Sequence, residues 1–85
     1  MIGTVPSTER LEAIPKRSGE PLYLDSAEVE ALRLVDLENS SFDEAGRKMN
    51  VSRNTVWRLV EGARRKIVRA IVEGRTIIIQ KAEET

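Results

Sequence analysis

The chain has no cysteine and no histidine in 85 residues, and only one tryptophan, one tyrosine and one phenylalanine. Without cysteine there is no disulfide framework, no thiolate nucleophile and no zinc–thiolate centre. Without histidine the usual neutral-pH acid/base and the commonest metal ligand are missing. No glycine-rich phosphate loop is present either. The expectation is a protein that is not an enzyme and carries no cofactor and no metal. The acidic pairs Glu28/Glu30 and Asp43/Glu44 lack a third ligand at suitable spacing, and read as a solvated face and first-turn helix charges. No apolar run approaches membrane-spanning length, and no basic-then-apolar leader opens the chain. A cytoplasmic protein with no membrane segment is expected. If both ends are loose, the folded part is about sixty residues, a size at which folding alone is marginal. Oligomerisation is therefore an expectation.

What is present is charge, and it is unevenly placed. The formal net charge is zero. Residues 1–46 hold four basic and ten acidic side chains, a net of −6. Residues 47–75 hold nine basic and two acidic, a net of +7, and 76–85 carry −1. Such segregation points to a face that meets a polyanion.

The basic segment coincides with a motif. Ser41–Arg69 reads SFDEAGRKMNVSRNTVWRLVEGARRKIVR. Ser41 with Glu44 three residues on is a capping box for a short helix near 42–49. Asn50 suits the turn because Asn tolerates positive φ better than any residue except Gly. Ser52 then caps a long helix, expected over about 53–73 and stopped by Gly74. Two capped helices with three residues between them are the signature of a helix-turn-helix. Ala45, Met49, Val51, Val56 and Leu59 fall where the two helices need apolar contact, and Gly46 faces their crossing. A three-helix bundle with a tight corner and no nucleic acid is the plain alternative, and it leaves the charge segregation without a purpose.

The flanks are simpler. Residues 1–20 contain two prolines and two glycines without periodicity, and read as a flexible N-terminal arm. Leu11 and Ile14 are possible anchors in it, and Lys16–Arg17 a possible phosphate contact. Pro21–Leu24 is a β-like run. Asp25 or Ser26 caps a helix to about Leu37, with Ala27, Ala31, Leu34 and Val35 on one face and Glu30, Arg33 and Asp36 opposite. In the long helix Val56, Leu59, Val60, Ala63, Ile67, Ala70 and Ile71 form the core stripe. Residues 75–80 (RTIIIQ) form a strand that needs cover on both faces. Pairing with Leu22–Leu24, in the same chain or in a partner, satisfies one edge. Tyr23 reads as strand packing, and 81–85 as a frayed tail.

Helix length against groove width selects the candidate readers. A helix of about twenty residues is near 30 Å long, whereas the major groove is about 12 Å wide. Only the first turns can reach base edges, so Arg53, Asn54, Trp57 and Arg58 are the base-reading candidates. Arg suits guanine and Asn suits adenine, each bidentate. Ser52, Thr55, Arg47 and Lys48 are placed for phosphate. Arg64, Arg65, Lys66 and Arg69 lie further along; backbone contact and a solvated charged face are the two readings there, with Arg64 and Arg65 the phosphate candidates. Trp57 lies at the edge of the core stripe, between packing and a sugar or thymine-methyl contact.

The run from Glu28 to Ile79, with EALRLVDLE, KM-V-SR-T and AR-KI-A-VEG as its most specific elements, resembles a small prokaryotic family of predicted DNA-binding proteins, domain-of-unknown-function family 134. More distantly it is similar to region 4 of sigma factors and to LuxR-type readers. The resemblance covers about residues 21–80. It implies a mainly α, three-helix helix-turn-helix of the sigma region-4-like, winged-helix-like superfamily, with short flanking N- and C-terminal strands. In it Ser52, Arg53, Asn54, Thr55, Trp57 and Arg58 face DNA. Gly46 stands where Ala is usual and Asn50 where Gly is usual, both expected to be tolerated. Some members carry a further cysteine- or metal-related domain after the strand, and no such sensing function is expected of this chain. The partners expected are double-stranded DNA and a second copy bound through the C-terminal strand and Pro21–Leu24. RNA polymerase or a sigma factor is the alternative partner, met through Glu30, Arg33 and Asp36.

Overall fold

The computed structural model describes residues 7–17 and 19–80. The expected frayed tail at 81–85 lies outside the described residues. Helix dominates. α1 (Ser26–Leu32) runs on directly into a π-helical segment, Arg33–Leu37, and is followed by α2 (Phe42–Met49) and α3 (Arg53–Glu73). Three short strands complete the fold: β1 (Arg10–Leu11), β2 (Leu22–Asp25) and β3 (Ile77–Gln80).

Local chemistry accounts for each helix start. Asp25 accepts from the Glu28 N–H at 2.8 Å while Glu28 accepts from the Asp25 N–H at 3.0 Å, a capping box that opens α1. Ser41 and Glu44 make the same reciprocal pair at α2, at 3.0 and 2.9 Å. Gly74 closes α3 with φ +66°, the left-handed geometry that glycine adopts without steric cost.

The core has two parts along α3. Ala31 and Leu34, Ala45, and Val56 and Val60 bury together where α1 and α2 cross the first half of α3. Leu24, Ala63, Ala70 and Ile77 bury together where the sheet covers its second half. Leu34 is among the largest fully buried side chains, and its truncation to alanine is expected to cost about 2–5 kcal/mol.

The sheet differs from the sequence expectation in one consequential way. Its order is β1-β3-β2, with β3 in the centre, antiparallel to β1 and parallel to β2. Leu22 and Leu24 register with Ile77 and Ile79 on the core face, and Tyr23 with Ile78 on the other. Of the two sources left open for pairing along β3, its own chain or a partner, its own chain supplies both edges. β1 was not anticipated: a two-residue strand carries too little periodicity to announce itself. It draws part of the N-terminal segment onto the sheet, and the Ala13 N–H also donates to Thr76 Oγ1 at 3.2 Å. Leu11 and Ile14 nevertheless stay exposed, so neither is a buried anchor.

Two other expectations change. Glu28 and Glu30 are buried, at 6% and 5% exposure, rather than solvated. Each lies against a cation: Lys66 Nζ is 2.8 Å from Glu28 Oε1, and the Arg33 guanidinium bonds both oxygens of Glu30 at 3.1 and 3.0 Å. Charge pairing is what lets a carboxylate leave water. Ile71, expected in the core stripe, is 76% exposed. The sheet's cover reaches Ala63, Ile67 and Ala70, and Ile71 lies beyond it on the helix.

Candidate nucleic-acid interface

α2, the turn Asn50–Ser52 and the start of α3 form one rigid corner. Asn50 has φ 61° and ψ 45°, the left-handed conformation its side chain tolerates. The Val51 N–H then donates to the Gly46 carbonyl at 2.9 Å, tying the turn back to α2. A Cβ at Gly46 would lie 2.8 Å from the Val51 carbonyl oxygen. Glycine in place of the usual alanine fits this close approach, and an alanine here would need the turn backbone to shift. Ser52 Oγ accepts from the Thr55 N–H at 3.1 Å and lies 2.9 Å from Thr55 Oγ1. Both hydroxyls assigned to phosphate are thus engaged in the cap, which stiffens the first turn of α3.

The four expected readers come together on that turn and the next. Arg53, Asn54, Trp57 and Arg58 are all exposed. Arg53, Asn54 and Trp57, with Phe42 of α2, line a shallow notch of about 340 Å³. The Arg53 guanidinium stands 5.9 Å from the centre of the Phe42 ring and 3.8 Å from Asp43. Trp57 is 51% exposed. Its indole is therefore a surface feature, although the stripe geometry leaves packing open.

Ion pairing separates the basic residues into two groups. Among the described residues, no carboxylate lies within 4 Å of Arg47, Lys48, Arg58 or Arg65. Lys48 touches only Ser40 Oγ, at 3.4 Å. By contrast Arg64 grips Asp36 through two bonds of 3.2 and 2.6 Å and lies 3.6 Å from Glu61. The hydrogen bond to Asp36 is the main reason its pKa is raised. Arg64 thus ties α3 to the π-helical segment that follows α1, and it meets a phosphate only by giving up that pair. Lys66 is held by Glu28 and by the Tyr23 carbonyl at 2.7 Å. Arg69 is 3.7 Å from Glu73, and Arg75 bonds Glu73 and the Glu20 carbonyl. Nothing in the helical spacing alone marks which basic residues are pinned, since Asp36 and Arg64 are 28 positions apart.

The N-terminal basic pair falls in a different place. The Arg17 N–H donates to the Gly74 carbonyl at 3.0 Å, at the far end of α3. α3 has 21 residues, about 31 Å at 1.5 Å per residue. Lys16 and Arg17 cannot share a contact with the readers. Of the cations without a carboxylate partner, Arg47, Lys48 and Arg58 stand at α2 and the first half of α3, Arg65 just past its midpoint, and Lys16 and Arg17 at its far end. Glu44, within that corner, is held below the usual carboxylate value near 4.5, first by the Ser41 backbone N–H and then by its hydroxyl.

The family model described as "Protein of unknown function DUF134" matches residues 5–85. A UPF0251 protein of Archaeoglobus fulgidus is 47% identical over 83 residues, covering 98% of this chain and 79% of that protein. One from Pyrococcus abyssi is 45% identical over 82 residues, covering 93% and 74%. One from Halothermothrix orenii is 48% identical over 64 residues, covering 75% of this chain but 47% of its own length. No solved structure matches the chain.

Proposed function

The chain belongs to the DUF134 family, and from the geometry of its exposed corner we propose that it is a sequence-specific double-stranded DNA-binding protein. In this proposal α2, the turn and α3 are a sigma region-4-like helix-turn-helix working in the cytoplasm as a transcription regulator, by binding and not by catalysis. The observation that carries it is the exposed cluster Arg53, Asn54, Trp57 and Arg58 on a capped helix start, flanked by the unpaired Arg47 and Lys48.

The physics is direct. A helix fits the major groove, where Arg can be bidentate to guanine and Asn to adenine. Asn54 and Arg58 are four residues apart and therefore one above the other on the exposed face. Trp57 beside them offers an apolar surface for a thymine methyl group. Arg47, Lys48 and the free N–H groups at the start of α3 hold phosphates, with the helix dipole assisting. Arg65, further along, is a further free cation able to meet the backbone.

The competing reading, a module docking on RNA polymerase or a sigma factor through Glu30, Arg33 and Asp36, finds less support. Glu30 is buried against Arg33, and Asp36 is engaged by Arg64. The deciding experiment is selection of bound duplexes from a random pool, followed by a salt series on the enriched sequence. Binding that weakens steeply with salt, with a defined site, is the expected result. No binding to any duplex at low salt rejects the proposal.

A further inference from the structure

Two rows of side chains leave the first turns of α3. Asn54 and Arg58 make one; Arg53 and Trp57, also four residues apart, make the other. The second row has an aromatic partner on the neighbouring helix. Phe42 of α2 is packed against the core that α1, α2 and α3 share, so its ring is a fixed platform. The Arg53 guanidinium stands over that ring, 5.9 Å from its centre. Asp43 lies 3.8 Å from Arg53 Nε, too far for a hydrogen bond, and both side chains are exposed. Such a pair is worth little, so the donors of Arg53 remain available. The half-exposed Trp57 indole completes the notch of about 340 Å³ with Phe42, Arg53 and Asn54. A phosphate contact asks only for charge and donors. Two aromatic walls beside an oriented guanidinium are more than that.

We propose that this notch reads a 5-methylpyrimidine immediately 5′ of a guanine. Arg53 bonds the guanine, and the methyl group lies against Phe42 and Trp57. The inference rests on the DNA-binding reading and names the base step that this corner selects. Guanine offers O6 and N7 to a bidentate guanidinium, and the C5-methyl is the apolar group that a pyrimidine presents in the major groove. Successive bases on a strand are about 3.4 Å apart, so the methyl of the 5′ neighbour meets the face of a guanidinium bonded to the guanine. Arg53 and Trp57 are about 6 Å apart along α3, a span within two such steps. Thymine and 5-methylcytosine carry the same methyl group, whereas uracil and cytosine lack it.

The test begins with the duplex selected from unmethylated DNA, which should carry thymine 5′ of a specified guanine. That one base is then varied, and affinity for the full chain is read by fluorescence anisotropy. Uracil in place of thymine should weaken binding about fourfold, the value of one buried methyl group. 5-Methylcytosine should bind about fourfold tighter than cytosine, which separates the methyl group from the base pair that carries it. In Trp57→Ala, with its circular dichroism unchanged, both differences should vanish while binding persists. Arg53→Lys keeps the charge but loses the planar fork, and should lose the preference for guanine at that step.

Equal binding of thymine and uracil overturns the proposal, as does a selected site with no pyrimidine 5′ of a specified guanine. Methyl effects that survive Trp57→Ala overturn it too, and so does a guanine preference that survives Arg53→Lys. Specific binding that ignores the methyl group leaves the DNA function standing. Absence of binding to every duplex removes that function and this inference together.

Discussion

The first half of α3 carries two basic residues and the second four, and the two halves use them differently. In the first half, Arg53 and Arg58 stand exposed beside Asn54 and Trp57, over a core supplied by α1 and α2. In the second, Arg64 and Lys66 are held by Asp36 and Glu28, and the outward face turns apolar through Val68, Ile71 and Val72. Charge density along a helix therefore does not locate a binding face. Coulomb attraction within the chain has already engaged part of it, and a cation held by a carboxylate must give up that pair before it can meet a phosphate.

The strongest break in this comparison is the double change Asn54→Ala with Arg58→Ala. Each bidentate pair is worth about 1–3 kcal/mol of discrimination. The selected site should lose about a hundredfold or more of its preference over random duplex, read by fluorescence anisotropy, without a fall in melting temperature. Next comes Glu28→Ala, which removes a buried carboxylate shared by the α1 cap and Lys66. A loss of about 2 kcal/mol is expected by chemical denaturation, from the lost helix cap and the lost charge-assisted bond to the partly exposed Lys66.

Smaller effects sharpen the division. Lys48→Ala should weaken every duplex alike and lower the salt slope by about one, because it would hold phosphate and not bases. Arg64→Ala should leave affinity within about twofold, because its charge is spent on Asp36. A large loss of binding in Arg64→Ala would show that the ion-pair criterion separates nothing.

The smallest effect is on pH dependence. The Glu44 carboxyl has its pKa lowered on folding by the Ser41 N–H and hydroxyl. Its contribution is fully present above the usual carboxylate value and is lost as the pH falls through the lowered one. Acid titration followed by circular dichroism should show this small loss in the wild type and none of it in Glu44→Gln.

Much of this was legible beforehand because it is local. Ser41 with Glu44, Asn50, Ser52 and Gly74 each act within four residues, so caps and turns could be placed from spacing alone. The exposure of Arg53, Asn54 and Arg58 was legible for the same reason, as it follows from helical phase. Trp57 was not, because its position on the stripe's edge permits burial or exposure. The long-range partners were not legible either. Arg64 with Asp36, Lys66 with Glu28 and Arg10 with Ile78 join residues whose approach depends on how helices and strands pack.

The amino-acid order by itself determined the three helix starts, the left-handed turn at Asn50 and the basic character of 47–75. Those follow from side chains bonding their own neighbouring backbone, and from formal charge. Tertiary structure alone decided that β3 lies between β1 and β2, that Glu28 and Glu30 are buried, and that Arg64 is bound while Arg58 is free. It also left Ile71 outside the core that its phase on the helix suggested. The reason is common to all four: burial and ion pairing depend on what lies opposite a side chain, and only packing brings the opposite surface into place.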